Sequence, residues 1–179
     1  MSHKYVFKSE RLGFRVWTKG DLHEFSEINA DKDVMEYFPS PLTIEETDEF
    51  IDRLIAHYDK HGYQYFATEI LKTRELIGFV GLAFQRYKTE FSPATDIGWR
   101  LKKSAWGKGF ATEGATRCLE YAFEDLNLKN VFSACTKNNL KSENIMKKIG
   151  MVKRGEFNHP NLKKYPELER CVWYEISND

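Results

Sequence analysis

The chain has 179 residues, of which 41% are hydrophobic and 30% are charged, a balance typical of a globular protein with its own core and not of a disordered chain. Lysine plus arginine and aspartate plus glutamate number 27 each, which gives no support to a nucleic-acid or anionic-membrane partner, because both attract a basic protein. No apolar run approaches the about 18 residues of a membrane-spanning helix, so we expect neither a nucleic-acid nor a membrane partner.

The three cysteines, Cys118, Cys135 and Cys171, are widely spaced and form no CxxC pair. This spacing predicts neither a zinc site nor a disulfide framework, and we expect no bound metal. The first ten residues lack the apolar run of a signal peptide. Free thiols and the lack of such a run fit a reducing compartment, so we expect a cytoplasmic protein.

The first part of the chain carries one strand signal and two helix signals. Apolar and other residues alternate over 11–18, which predicts a strand. Apolar residues at helical spacing predict a helix over 19–30. Thr43 and Glu46 have the spacing of a capping box and open a second helix, which we expect to end at Gly62.

Strand signals dominate the middle of the chain. Two β-rich runs, 63–70 and 76–85, are separated by a polar turn and predict a hairpin. Residues 86–94 form a loop candidate, and the short alternating segment 95–101 predicts another strand.

The last part alternates between helices and strands. Helical apolar patterns cover 110–126 and 139–150, and strand patterns cover 130–136, 151–158 and 171–177. The glycine-rich stretch "SAWGKGFATEG" therefore lies between a strand and the start of a helix.

The glycine-rich stretch has two interpretations at this stage. The backbone N–H groups at a helix N-terminus lack intrahelical partners and attract phosphate, and Gly107 and Gly109 would let the backbone approach an oxygen closely, with Lys108 adding charge. The alternative is a plain turn that needs glycine for a positive φ. The stretch is not a P-loop, since no Gly-Lys-Ser/Thr triplet closes it.

Three blocks of the sequence resemble the Gcn5-related N-acetyltransferases. "WGKGFA" is similar to that family's coenzyme A loop, Arg/Gln-x-x-Gly-x-Gly/Ala, and departs from it at Trp106, as is usual in the branch of the ribosomal-protein N-terminal acetyltransferases. "IGWRL" upstream and "NNLKSENIMKKIGM" downstream resemble the family's adjoining strand and helix. The blocks occur in the family's order, and the resemblance covers nearly the whole chain.

The resemblance implies one acetyltransferase domain over residues 1–179. Its fold would be α+β (mixed α/β), the acyl-CoA N-acyltransferase fold, with a mostly antiparallel seven-stranded sheet, about four helices, and splayed fourth and fifth strands. The coenzyme's pantetheine arm would lie between the splayed strands. A bulge is expected in the fourth strand, with Gly98 as the bulge residue.

The resemblance also implies acetyl-CoA as cosubstrate. Backbone groups of the fourth strand, N–H groups of the glycine-rich turn and the start of the 139–150 helix would hold it. The expected coenzyme-binding residues are Trp99, Arg100, Leu101, Gly107, Lys108, Gly109, Phe110, Ala111, Thr112, Asn139 and Ser142. By local pattern alone Asn139 is equally a helix N-cap.

The implied reaction is direct acetyl transfer to an amine, which must first lose a proton to a base. Asp96 is the first candidate, because it directly precedes "IGWRL", where related sequences frequently carry Glu; the alternative is a solvated acid at a strand end. Ser142 is the candidate near the thioester sulfur, or else a first-turn hydroxyl without chemistry. His159 is a second candidate base or a substrate-lining residue.

Substrate residues are expected in the helix connection and the last hairpin. They are Tyr37, Phe38, Phe84, His159 and Tyr165, with simple packing as the alternative. A small-molecule or amino-acid-derived amine is favoured over a protein N-terminal α-amine or peptide. A non-catalytic coenzyme A sensor is a further alternative, which the presence of Asp96 and Ser142 disfavours. This branch is often dimeric, so monomer and homodimer both stay open.

Overall fold

The computed structural model describes residues 5–178. Within them, strands and helices form where the sequence has the corresponding apolar patterns. Residues 1–4 and 179 of the expected domain lie outside the described part. The strands are β1 (Phe7–Lys8), β2 (Leu12–Arg15), β3 (Tyr65–Ile70), β4 (Leu76–Gln85), β5 (Ala94–Leu101), β6 (Asn130–Thr136), β7 (Val152–Asn158) and β8 (Arg170–Ser177). The helices are α1 (Leu22–Ala30), α2 (Ile44–His61), α3 (Phe110–Glu120), α4 (Leu140–Lys148) and α5 (Pro166–Glu169).

The eight strands found in residues 5–178 join one sheet in the order β1-β2-β3-β4-β5-β6-β8-β7. Every neighbouring pair is antiparallel except β5 and β6, which are parallel and meet only where Asp96 faces Phe132. The two-residue β1 at the edge of the sheet was not among the seven predicted strands. The observed β5 and β6 are therefore the fourth and fifth predicted strands. The expected mixed α/β fold with a splayed central pair is confirmed.

The helices cover the two faces of the sheet. One apolar cluster joins α1 and α2 to the sheet through residues such as Phe25, Ile51 and Phe79. A larger cluster joins α3 and α4 to the opposite face, with Leu119 and Met146 among its members. Within residues 5–178, no helix is both long and apolar enough to cross a bilayer.

Local sequence signals account for the helix ends. The Thr43 hydroxyl accepts from the Glu46 N–H, and the Glu46 carboxylate accepts from the Thr43 N–H, so the predicted capping box forms. Gly62 ends α2 in the left-handed region at φ 77°, as predicted.

The bulge expected at Gly98 is absent from the pairing of β4 with β5. These two strands stay in register from Gly78 opposite Leu101 to Gln85 opposite Ala94. Gly98 instead lies next to an aromatic ring, since a Cβ there would be 3.1 Å from Cε1 of Tyr65. A larger residue at this position would require the Tyr65 ring to shift by a few tenths of an ångström.

Candidate active site

Asp96 lies on β5 at the point where β5 and β6 separate. The Tyr65 hydroxyl lies 2.7 Å from its Oδ1 and 2.8 Å from its Oδ2. Gln85 donates from Nε2 to Oδ2 at 3.2 Å and is 3.2 Å from the Tyr65 hydroxyl. The cross-strand alignment of Tyr65 with Gly81 and of Gly81 with Gly98 brings the tyrosine ring over the strand that carries Asp96.

Burial controls the ionisation of Asp96. The carboxyl is surrounded by protein but still borders a cavity, and burial raises its pKa to about 7. Hydrogen bonds from Tyr65, Gln85 and the Ala83 amide act in the opposite direction because they stabilise the carboxylate. Its pKa therefore lies near neutrality, where a carboxyl can both accept and release a proton.

The cavity that Asp96 borders has a volume of about 390 Å³. It lies between the α1–α2 connection, the sheet and the segment that follows β7. Its walls are largely aromatic, with a few polar groups near Asp96. Among the lining residues are Tyr37, Phe38, Tyr65, Tyr87, Arg100 and His159. We call it the acceptor cavity.

A second space of about 510 Å³ adjoins the acceptor cavity and extends over the start of α3. Trp99, Arg100, Asn139 and Ser142 line both spaces. We call the second space the α3 groove. It lies on the side where β5 and β6 diverge.

The glycine-rich turn forms one end of the α3 groove. Gly107 and Gly109 have φ angles of 73° and 79°, in the left-handed region that favours glycine. Gly109 is the N-cap of α3 and offers no capping side chain, so the first N–H groups of the helix lack a side-chain acceptor there. Such groups, together with the helix dipole, are chemically suited to an anion.

Arg11 fixes the geometry of this turn from the neighbouring β1–β2 connection. It donates from Nη1 to the Lys108 carbonyl oxygen at 3.0 Å and from Nε to Oε2 of Glu113 at 2.6 Å. Ser9 and the Arg11 N–H donate to Oε1 of Glu113. Burial acts to raise the pKa of Glu113, but these hydrogen bonds lower it, so the carboxylate stays ionised.

The start of α4 faces the turn across the groove. The Asn139 side chain accepts from the Ser142 N–H at 3.1 Å, so the alternative interpretation of Asn139 as an N-cap is correct. Its amide nitrogen is not used in that bond. Cys135 lines the acceptor cavity, and burial raises the pKa of its thiol to about 12.

Residues 11–152 match the family model described as an acetyltransferase (GNAT) domain. The chain belongs to the GNAT acetyltransferase family. It is 31% identical over 151 residues to the uncharacterized N-acetyltransferase YnaD of Bacillus subtilis (strain 168), across 83% of this chain and 84% of that one. It is 28% identical to the spermidine N(1)-acetyltransferase of Vibrio cholerae, across 82% of each.

The fold is also that of RimL, a ribosomal-protein α-N-acetyltransferase whose structure was solved with coenzyme A. The two share a TM-score of 0.79 over 98% of this chain and 99% of that one. At 15% identity the likeness is one of fold. The GNAT branch expected from the sequence is thus present among the structural neighbours.

Most of the residues that the sequence predicted for the GNAT site line one or both spaces. The acceptor cavity receives the expected Asp96, Ser142, Tyr37, Phe38 and His159. The α3 groove receives the expected coenzyme-binding residues Trp99, Arg100, Leu101, Gly107, Gly109, Phe110, Ala111, Thr112, Asn139 and Ser142. His159 accepts from the Asn161 N–H and packs on Tyr87, with its pKa lowered by burial.

Three predicted residues lie elsewhere. Phe84 pairs with Thr95 and therefore faces the α3 side of the sheet, opposite to Asp96; its N–H donates to Nε2 of His57. Tyr165 is the N-cap of α5 and lines neither space. Lys108 is exposed at the turn and contributes its carbonyl to Arg11.

Sequence reasoning missed the residues that surround Asp96 and the turn. Tyr65, Gln85 and Tyr87 come from β3, the end of β4 and the loop after it, and none belongs to a recognised block. For Arg11, the sequence predicted only a position in a strand.

Within residues 5–178 there is no cluster of three His, Cys, Asp or Glu side chains suited to a metal ion.

Proposed function

We propose that this N-acetyltransferase moves an acetyl group from acetyl-CoA to the primary amine of a small molecule or amino-acid derivative by direct attack. The observation that carries the proposal is Asp96, a carboxyl with a pKa of about 7 that borders the acceptor cavity next to the α3 groove. An ammonium group must lose a proton before it can attack. A base of this pKa accepts that proton at neutral pH.

The residues of the α3 groove fit coenzyme A. The N–H groups at the start of α3, with Gly107 and Gly109, suit the pyrophosphate, and Lys108 adds positive charge nearby. The backbone of 99–101 and the free amide of Asn139 suit the pantetheine arm. When bound, acetyl-CoA supplies the acetyl group as a thioester.

Other groups of the chain assist the transfer. After Asp96, the edge of β5 that faces β6 makes no ladder pair in the described structure, so its N–H groups are available to stabilise negative charge on the acetyl oxygen. Ser142 lines both spaces, which supports a role for its hydroxyl in donating a proton to the departing sulfur. No covalent enzyme intermediate is needed.

The acceptor cavity supports a small amine. Its volume of about 390 Å³ is within the range of small-molecule sites. A relative of 28% identity is named for spermidine, which is a small amine. The shared fold with RimL supports the second candidate, a protein N-terminal α-amine. A coenzyme A sensor without catalysis is the third.

The test is to incubate the protein with acetyl-CoA and a panel of polyamines, amino acids, amino-acid amides and short peptides, and to follow the release of free thiol. We expect turnover with small amines. Asp96→Asn should lower kcat by at least about tenfold, whereas Asp59→Asn, at an exposed position of α2, should leave kcat unchanged.

Each alternative has its own result. Turnover confined to peptides would favour the protein α-amine activity. Tight coenzyme A binding without turnover of any amine would favour the sensor, and failure to bind coenzyme A would refute the proposal altogether. Normal activity of Asp96→Asn across pH would reject Asp96 as the base.

A further inference from the structure

Arg100 is a buried cation on the same face of β5 as Asp96 and Gly98. Its exposed fraction is 9%, and the residue lines both the acceptor cavity and the α3 groove. The role proposed above for this residue uses only its backbone. The guanidinium, which points to the α1–α2 side, is not used by that role.

The guanidinium has one hydrogen-bond partner among the described residues. Nη1 donates to Oδ1 of Asn29 at 2.8 Å. Three phenylalanine rings surround the group, with centroids 4.2 Å (Phe38), 5.4 Å (Phe79) and 5.6 Å (Phe50) from its central carbon. Nε is buried and has no partner, and Nη2 donates no hydrogen bond within residues 5–178.

A second buried arginine in the same protein shows what a structural role looks like. Arg15, with an exposed fraction of 5%, forms ion pairs with Asp21 at 2.7 Å and Glu69 at 2.6 Å. No carboxylate among the described residues acts as a counter-ion for Arg100, and the titratable neighbour that influences the pKa of Arg100 is Tyr65. Burial lowers the pKa of Arg100 to about 10, so the group stays charged at neutral pH.

A buried charge without a counter-ion is costly to a fold, and proteins normally pair such groups. Nε and Nη2 together form the edge of a guanidinium that binds a carboxylate through two parallel hydrogen bonds. In Arg100 this edge is the unpaired one. This edge is therefore suited to a planar anion of one charge.

We propose that Arg100 binds a carboxylate of the acceptor, so that the acetylated amine belongs to an amino-acid-class molecule that carries an amine and a carboxylate. The inference rests on the proposed function and names its substrate class. Arg100 and Asp96 lie on one face of β5, about 13 Å apart at their Cα atoms by strand rise. The amine would lie at Asp96 and the carboxylate at Arg100, with Tyr65 between them.

The surroundings favour a carboxylate over other ligands. One guanidinium among aromatic rings balances a single negative charge, whereas a phosphate dianion would bring a second charge without a partner. A polyamine would place a further cation beside Arg100, which is unfavourable. The substrate would then differ from that named for the relative that acts on spermidine.

The experiment compares matched acceptors that differ only in the anion. The pairs are glycylglycine with glycylglycinamide, 4-aminobutanoate with 4-aminobutanamide, and 6-aminohexanoate with its amide. For at least one pair we expect kcat/KM of the wild type to be tenfold or more higher for the carboxylate. Arg100→Gln should bring that ratio close to one, Arg100→Lys should lower it partly, and the exposed Arg154→Gln should keep it.

Equal or better turnover of every amide by the wild type would overturn the inference without touching the proposed function, and this comparison needs no folded variant. A rise only in the KM for acetyl-CoA with Arg100→Gln would also overturn it.

If no acceptor is turned over, the proposed function fails, and calorimetry decides the inference separately. The N-acetylated carboxylates are titrated into the protein–coenzyme A complex: binding lost in Arg100→Gln supports it, and no binding to the wild type refutes it.

Discussion

The hydroxyl of Tyr65 lies 2.7 Å and 2.8 Å from the two carboxylate oxygens of Asp96. A hydroxyl that donates to a carboxylate stabilises the ionised form and so lowers its pKa. Burial acts the other way and is the larger effect, leaving the Asp96 pKa at about 7. The tyrosine therefore limits how far burial can raise the pKa of the candidate base.

Tyr65→Phe removes this hydrogen bond and should raise the pKa of Asp96 further. We expect the acidic limb of the kcat/KM profile against pH to move up by about one pH unit, with a several-fold loss of activity at pH 7. The measurement is kcat/KM from pH 5.5 to 9.

Tyr63→Phe is the matched control for that substitution. The Tyr63 hydroxyl pairs with Thr95 Oγ1 at 2.8 Å on the opposite face of the sheet. Its loss should cost about 1 kcal/mol of stability but leave the acidic limb where it is. An identical limb in Tyr65→Phe and the wild type would exclude the tyrosine from controlling Asp96.

Asp96 should also make folding less favourable as pH rises. Its pKa is about 7 in the folded protein against 3.8 for the unperturbed group, so the folded state binds more protons than the unfolded state between about pH 4 and pH 7. The free energy of unfolding therefore falls through this interval because of Asp96.

Asp96→Asn cannot ionise and should lose that dependence. We expect the variant to gain stability relative to the wild type as pH rises from 5 to 8, measured by urea denaturation at fixed ionic strength. A difference between the two proteins that stays constant over this interval would mean that the folded-state pKa of Asp96 is not raised.

The sequence predicted the regular elements well because each carries its own periodicity. The seven predicted strands form and lie in the expected mixed sheet. The missed β1 has two residues, too few for any pattern, and its Phe7 is held by stacking on Phe14 and Tyr121, with centroids 4.6 Å and 4.5 Å away. Contacts of this kind depend on residues distant in the chain.

Apart from Tyr37, Phe38 and His159, the predicted residues that line the two spaces lie in a motif block or directly beside one. The motif blocks contain the glycine-rich turn and begin directly after Asp96, but the position of Tyr65 depends on the register of three strands, which one sequence does not specify. The register also explains why Phe84 was wrongly expected among the substrate residues, since a shift of one position decides which face of the sheet a side chain occupies. Opposite Asp96 lies Ala83, so its neighbour Phe84 faces away.

Gly107 should be needed for coenzyme binding because of its backbone angle. Gly107→Ala would force alanine to φ 73° with no atom within 4 Å of the new Cβ, so strain of about 1 kcal/mol is expected without a clash. Relaxation of that strain would move the N–H groups of the turn. We expect the Kd for coenzyme A to rise about tenfold, measured by calorimetry, if about 1.4 kcal/mol of binding is lost.

Gly62→Ala offers a closely matched control for Gly107→Ala. Gly62 has φ 77° and likewise no atom within 4 Å of an added Cβ, but it ends α2 away from the groove. Both substitutions should lower stability similarly, and only Gly107→Ala should weaken coenzyme A binding. Equal affinities of the two variants would show that the turn does not bind the coenzyme.

Arg11 should influence coenzyme binding without touching the coenzyme. It donates to the Lys108 carbonyl and to Glu113, and so holds the backbone of the turn and the start of α3 together. Because the pair is exposed on the arginine side, its contribution to stability is small, about 0.2–1 kcal/mol. Arg11→Met should raise the KM for acetyl-CoA several-fold while changing Tm by only a few degrees.

Glu113→Gln separates position from charge in the same contact. Its single oxygen can still accept from the Ser9 hydroxyl and the Arg11 N–H, as Oε1 does, whereas an amide nitrogen replaces Oε2 and cannot accept from Arg11 Nε. Arg11 keeps its bond to the Lys108 carbonyl, and the negative charge at the first turn of α3 is removed. If Arg11 acts by holding the turn, this variant should weaken coenzyme binding less than Arg11→Met does. If Arg11 acts instead as a free positive charge near the phosphates, removal of the Glu113 carboxylate should strengthen binding, and the KM for acetyl-CoA would fall below that of the wild type.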